Sequence, residues 1–159
     1  MDVNELLRQV TAEAKAIKIP VSDNISPQVV INRRAKTRFG CCKKVGGGFV
    51  IELSERVAEA GETACKTVLA HEILHSCYGC MSHGARWKSY AAKMNAAYGY
   101  DISRASKSEE LGVEKDYPVR YRFRCQSCGV VIERMKMSVF VKNYKRYRCR
   151  CGGRIERVD

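Results

Sequence analysis

Residues 62–87 read ETACKTVLAHEILHSCYGCMSHGARW and contain all three histidines of the 159-residue chain. Set at helical intervals, Ala64, Val68, His71 and His75 share one side of a helix, and Leu69, Ile73 and Cys77 share the other. A helix apolar on both sides is a buried one, so the spacing predicts a buried helix from about Glu62 to Cys77, ended by Gly79. On that helix His71-Glu72-Ile73-Leu74-His75 forms an H-E-x-x-H pattern. Four-residue spacing stacks the two imidazoles on one face, where both can reach a single Zn²⁺. Glu72 projects beside them, close enough to take a proton from a water on that metal. Burying two imidazoles and a carboxylate with no metal would be costly.

A catalytic zinc takes a third protein ligand and leaves one position open to water. No Asp or Glu occurs between Ser76 and Tyr100, and the remaining histidine, His83, follows His75 by eight residues. His83 is therefore the expected third ligand. Ser82 is placed to cap a helix from about His83 to Tyr98, closed by Gly99. Cys77 and Cys80 lie between the ligands as Cys-x-x-Cys. They are readable as a redox pair beside the metal, as part of another metal site, or more simply as small packing residues. Cys41, Cys42 and Cys65 are read as packing thiols. For an oxyanion donor Tyr78, Tyr98 and Tyr100 are all candidates, and the sequence compels none.

Upstream, Val3, Leu6, Leu7, Val10, Ala14 and Ile17 recur at helical spacing, which predicts a helix to about Ile19, stopped by Pro20. Lys43-Lys44-Val45-Gly46-Gly47-Gly48 reads as a loose loop between Arg38-Phe39 and Phe49-Val50-Ile51, so a hairpin is expected there. Ser54 is a plausible cap for a short helix ending near Gly61.

Downstream, the polar stretch Ser106 to Asp116 reads as a linker, followed by a small all-β module organised by cysteines. Cys125-x-x-Cys128 and Cys149-x-Cys151, with Gly129, Gly152 and Gly153 beside them, have the spacing of a four-cysteine zinc ribbon whose metal is structural and closed to water. The cysteine count of nine is odd, and the charged N-terminus lacks the apolar stretch of a signal peptide. No apolar run approaches the roughly 20 residues that span a bilayer. An intracellular, cytoplasmic, non-membrane protein with reduced thiols is expected.

The formal charge is +12. From Lys115 onward four Lys and nine Arg face only Asp116, Glu133, Glu156 and Asp159, whereas the preceding residues are close to neutral. So uneven a distribution suggests a partner of dense negative charge, with nucleic acid leading. If the flanking segments are strands, Arg120, Arg122 and Arg124 share one face opposite Tyr121 and Phe123, and Arg146, Arg148 and Arg150 repeat the pattern around Tyr147 and Cys149. Phosphates would neutralise those arginines, and exposed aromatics could stack on bases. The plainer reading is a solvated basic face with the aromatics packed in the ribbon core.

The run HEILHSCYGCMSHGARWKSYAAKMN resembles the SprT-like, Spartan-related zinc metallopeptidases, in which H-E-x-x-H is followed by His-Gly-x-x-aromatic; here that element is His83-Gly84-Ala85-Arg86-Trp87. Arg38-Phe39-Gly40-Cys41 and Phe49-Val50-Ile51 look like the family's strand pair before the active helix. The resemblance spans roughly Ile31 to Arg104. It implies an α+β zincin-like peptidase domain, taken as residues 1–105 and followed by the linker over 106–116 and the ribbon over 117–159. It also implies peptide hydrolysis, with Glu72 as base, and a substrate that is protein bound or crosslinked to DNA; the three-histidine and four-cysteine sets lead to an expectation of two zinc ions. By the same analogy Phe49–Leu53 is expected to be an edge strand that pairs with an extended substrate. Two rivals remain: a peptidase with another target and a protein-docking ribbon, and a zinc-containing nucleic-acid-binding protein that does not cleave.

Overall fold

Asp2 starts the first helix, α1 (Val3–Ala16), its Oδ1 accepting the Asn4 N–H at 2.9 Å and the Glu5 N–H at 3.4 Å. The helix buries Leu6, Leu7, Val10 and Ala14. It stops at Ala16 rather than at the proline, because the chain turns left-handed at Lys18, φ +65°. The Ile19 N–H then reaches the Ala14 carbonyl and the Lys18 N–H the Lys15 carbonyl, each at 3.0 Å. This Schellman closure is usually made by glycine, and lysine at that position gives no sequence signal.

The structure is a computed structural model that describes residues 1–113 and 119–158. The chain divides into two compact units, residues 1–115 and 116–159. After α1 the first unit contains β1 (Val30–Asn32), β2 (Gly40–Val45), β3 (Gly48–Ser54), α2 (Glu55–Ala60), α3 (Glu62–Leu74), α4 (Ala85–Tyr98) and the one-turn α5 (Ser108–Leu111). Mixed α and β elements with small sheets make the fold α+β. Among the described residues no helix is long and apolar enough to cross a membrane.

The sheet order is β1-β3-β2, with β3 parallel to β1 and antiparallel to β2. Phe49–Leu53 is therefore the central strand, not the edge that analogy suggested, because β1 arrives from a distant part of the chain and covers its second side. The edge is β2. Lys43, Lys44 and Val45, expected in a loose loop, pair with Val50, Phe49 and Gly48, which leaves Gly46-Gly47 as the turn. Gly46 takes φ +57°, which glycine adopts without strain. The Ser54 N–H donates to the Phe39 carbonyl at 2.8 Å. Antiparallel alternation then sends the backbone groups of Phe39, Cys41 and Lys43 toward β3 and those of Gly40, Cys42 and Lys44 outward. On one sheet face Ile51 and Leu53 are fully buried. On the other, buried Glu52 is held by Lys43 at 2.7 Å and Arg38 at 3.3 Å.

Helix α3 is buried almost throughout, as its two apolar sides require. Its regular part ends at Leu74, and His75, Ser76 and Cys77 continue as tighter turns bonding back to the carbonyls of Glu72, Ile73 and Leu74. Gly84, not Ser82, is the N-cap of α4, and Gly99 closes that helix at φ +72°. The segment read as a linker is built into the first unit as far as it is described. Leu111 and Val113 are buried in its core, so the two apolar residues of that polar run decide its placement. Residues 114–116 of the linker and 117–118 and 159 of the ribbon lie outside the described residues.

The second unit is a three-stranded antiparallel sheet, β5-β4-β6, from β4 (Tyr121–Cys125), β5 (Val131–Arg134) and β6 (Ile155–Arg157). It is not all-β: a one-turn helix α6 (Val139–Lys142), capped by Ser138, and a 3-10 turn at Tyr144–Arg146 lie between β5 and β6. They bring Phe140 and Tyr144 to within 5.0 Å of the Phe123 ring, where they cover a core of Phe123, Val141 and Ile155.

One close approach in the first unit is testable directly. A Cβ at Gly40 would lie 2.7 Å from Val68 Cγ1 and 2.9 Å from Glu72 Cγ, both on α3. Val68 is β-branched and buried, so it cannot swing clear. Gly40→Ala is expected to destabilise the protein by about 1–3 kcal/mol through overpacking, read as a lowered denaturant midpoint. An unchanged midpoint would show that β2 and α3 are not tightly packed.

Candidate metal centre

The residues His71, His75 and His83 come together although α3 and the start of α4 are separate elements. Their ligating nitrogens all lie within 4.8 Å of one another. The ring centroids form a near-equilateral triangle of 5.2, 4.9 and 4.8 Å. Trp87, 1% exposed, packs against all three rings at 4.7, 5.6 and 4.6 Å. The third histidine is delivered by the turn from Cys77 to Gly84, in which Gly79 takes φ +71°.

Main-chain carbonyls hold two of the imidazoles from behind. His71 Nδ1 bonds the Ser103 carbonyl at 3.0 Å, and His75 Nδ1 bonds the Cys80 carbonyl at 2.7 Å. A carbonyl only accepts, so each Nδ1 carries the proton and each Nε2 presents a lone pair. His83 Nε2 lies 2.9 Å from His71 Nε2, against about 3.3 Å for two nitrogens on one tetrahedral zinc. Burial pushes His71 down to about 4, helped by the charges of His75 and His83. His75 and His83 are also lowered, first by burial. Three neutral imidazoles with converging lone pairs fit a divalent metal such as zinc, whose ligands must be deprotonated.

Glu72 is 7% exposed. Burial raises its carboxyl to about 7, opposed by the Cys42 N–H it accepts and by the charge of Arg38. The carboxylate thus sits against the outward edge of β2. It lines one cleft of about 410 Å³ together with the three histidines, residues 37–42 of β2 and its approach, Ile102 and residues 104–106.

Four of the remaining thiols of this unit, Cys42, Cys65, Cys77 and Cys80, are buried as packing groups, whereas Cys41, read as one, is half-buried and lines the cleft. Cys77 and Cys80 are buried, and Cys77 is raised to about 12 by burial and by its neighbour Cys80. Burial likewise raises Cys42 to about 12 and Cys65 to about 11. A protonated, buried thiol is a weak nucleophile.

In the second unit Cys125, Cys128, Cys149 and Cys151 converge, their sulfurs within 4.8 Å of one another. Cys125 lies 3.5 Å from Cys151, and Cys128 lies 3.5 Å from Cys149, close to the roughly 3.8 Å of a tetrahedral zinc–thiolate site. The shortened Cys-x-Cys knuckle still closes the set, because Gly152 turns at φ +85° and Gly153 leaves room: a Cβ there would lie 2.6 Å from Cys125 Sγ. Backbone N–H groups of Cys128 and Ser127 donate to Cys125 Sγ and push that thiol down, toward the thiolate a metal requires.

The six arginines are all exposed, but they do not form two matching strand faces. Arg120, Arg122 and Arg124 alternate with buried Phe123 and half-buried Tyr121 as expected, and Arg124 is paired with Glu156 at 2.9 Å. Arg146 ends the 3-10 turn, Arg148 makes an isolated bridge with Arg154, and Arg150 lies in the turn between Cys149 and Cys151. Short knuckles around a metal leave no length for a second regular strand there.

Sequence reading named Trp87 and Gly40 only as motif residues without a role, and it missed the two carbonyl anchors. Trp87 carried a signal in its aromatic position after His83-Gly84, whereas a carbonyl is common to every residue and signals nothing. No curated protein matches the chain significantly. The model of the SprT-like family matches residues 5–108, a span that holds the three histidines, Glu72 and the β2 edge and ends before the cysteine unit. With the site wholly inside a match that covers most of its length, the chain belongs to the SprT-like family and carries that family's metallopeptidase-like domain.

Proposed function

We propose that the first unit is a zinc-dependent endopeptidase of zincin type, that the cysteine unit is a zinc ribbon, and that the substrate is protein bound or crosslinked to DNA. One observation carries the peptidase reading: three neutral imidazoles and a buried carboxylate share a cleft with the free edge of a β-strand. Lewis acidity toward a water and toward the scissile carbonyl is what zinc on His71, His75 and His83 supplies. The outward backbone groups of Gly40 and Lys44 are free to pair with an extended peptide and lay its amide bond across the cleft. Glu72 takes the proton of the attacking water and returns it to the departing nitrogen. The second zinc, on four cysteines, is structural.

The exposed arginines of the basic unit support a DNA anchor. A specific observation favours the docking rival for that unit: Val130, Val131, Met137 and Val139 are each between 47% and 68% exposed. The two readings separate in one experiment. Cleavage of a DNA-binding protein should be stimulated by DNA. Arg122→Ala with Arg148→Ala should remove that stimulation and weaken binding to all DNA sequences alike. The plot of log affinity against log salt should flatten by roughly one unit for each phosphate the variant no longer neutralises. Unchanged affinity and slope would retire the DNA anchor and pass the ribbon to protein docking.

A further inference from the structure

None of the three tyrosines open to the oxyanion role faces the metal. The Tyr98 hydroxyl donates to the Glu13 carbonyl at 2.8 Å, and the Tyr100 hydroxyl donates to the Glu13 carboxylate. Tyr78 is 88% exposed, with the Arg86 guanidinium against its ring. None of them lines the metal cleft.

The cleft does contain a cation to which the mechanism above gives no role. Arg104 lines it beside His83 and Met81. It directly follows Ser103, whose carbonyl anchors His71, so the backbone that carries Arg104 is tied to the first ligand by a hydrogen bond. Its charge also reaches His83, adding to the burial that lowers that imidazole. The other arginine of the cleft, Arg38, is engaged with Glu52 at 3.3 Å. Among the described residues Arg104 has neither an acidic nor a neutral acceptor partner. An exposed guanidinium that lines the cleft and has no counter-ion among the described residues is equipped to receive an anion that exists only during the reaction.

We propose that Arg104 is the oxyanion donor of this site, an assignment that rests on the peptidase reading. When the water oxygen bonds to the scissile carbon, the carbonyl π pair moves onto the carbonyl oxygen and the water proton passes to Glu72. The Arg104 N–H groups donate to that oxygen while it is negative. As the π bond re-forms, the C–N bond breaks and the nitrogen takes its proton from Glu72, leaving a carboxylic acid and an amine. Arg104 therefore contributes to the transition state and little to substrate binding.

The test uses the full-length, zinc-loaded protein with Arg104→Ala and Arg104→Lys. Arg104→Ala should lower kcat by roughly 10²–10³-fold with KM nearly constant and zinc content unchanged, and added guanidinium ion should restore part of the rate. Calorimetry with a phosphinic peptide, a tetrahedral anion, should show a comparable loss of affinity, while the amide of the same sequence binds as before. Arg104→Lys should fall between. Parental kcat, a rise in KM alone, equal weakening of both ligands, or loss of zinc would each overturn the assignment. A parent protein that cleaves nothing, yet shows the Arg104-dependent preference for the phosphinic ligand, would overturn the peptidase reading and keep Arg104 as an anion donor.

Discussion

Replacing Glu72 by Gln is expected to lower peptide cleavage by roughly 10²–10⁴-fold while zinc stays bound. Glutamine keeps the volume of the side chain and an oxygen to accept the Cys42 N–H, so the fit of α3 against β2 survives. It cannot take a proton from water. The variant also carries a stability signature that a merely inert surface change would lack. The Glu72 carboxyl is raised by burial to about 7 from its ordinary 4.5, so the folded state binds its proton more tightly than the unfolded state does. Holding the ionised form costs stability that is absent below pH 4.5, grows as pH rises through that range and is complete above pH 7. With metal stripped by chelator, Glu72→Gln should therefore melt at or above the parent at pH 8 and lose any advantage near pH 4. Turnover close to the parent's, with zinc retained, would sink the proposed chemistry.

Cys149→Ser should unfold the C-terminal unit and leave the first unit standing. Among the described residues, and leaving aside Cys125 of the cysteine cluster, the buried apolar side chains of that unit are Phe123, Val141 and Ile155. Domains of about 40 residues usually need a metal, disulfides or a partner to fold, and zinc contributes on the order of 10–16 kcal/mol in comparably small fingers. The substitution removes a thiol that lies 3.5 Å from Cys128 in the four-cysteine cluster proposed to hold zinc. Zinc content should fall by about one per chain, amide protection on β4 and β6 should disappear, and cleavage of a short peptide without DNA should continue. A variant that loses that zinc yet keeps protection at Phe123 would mean the aromatic cluster, not the metal, holds the unit together.

Which side chains would be grouped as possible metal ligands was legible in the sequence, and long-range strand pairing was not. His71, Glu72 and His75 could be placed on one buried helix because their spacing is local. His83 followed because no other histidine remained, and the four cysteines announced themselves by type and distance. The error over the edge strand has a different origin. Nothing within Phe49–Leu53 reveals that residues 30–32 will lie parallel to it, some 20 positions away. Tyr98 and Tyr100 stayed open as candidates for a related reason, since the group that claims them is Glu13 on α1, more than 80 residues earlier. The helical turns of the ribbon arise because Phe123 needs covering, a demand set by tertiary packing rather than by the propensity of residues 138–146.

The carbonyls of Cys80 and Ser103 that brace the imidazoles have a bearing on how this centre tolerates genetic change. Every amino acid brings the same carbonyl, so those two supports pass intact through any point substitution that leaves the backbone path alone. Insertions and deletions are another matter, because one residue more or fewer between His75 and Cys80, or between Gly99 and Ser103, moves the brace away from its ring. For the braces alone the side chains at 80 and 103 are immaterial, although Cys80 is also fixed by its burial in the core, whereas the reading length between them and the ligands is not.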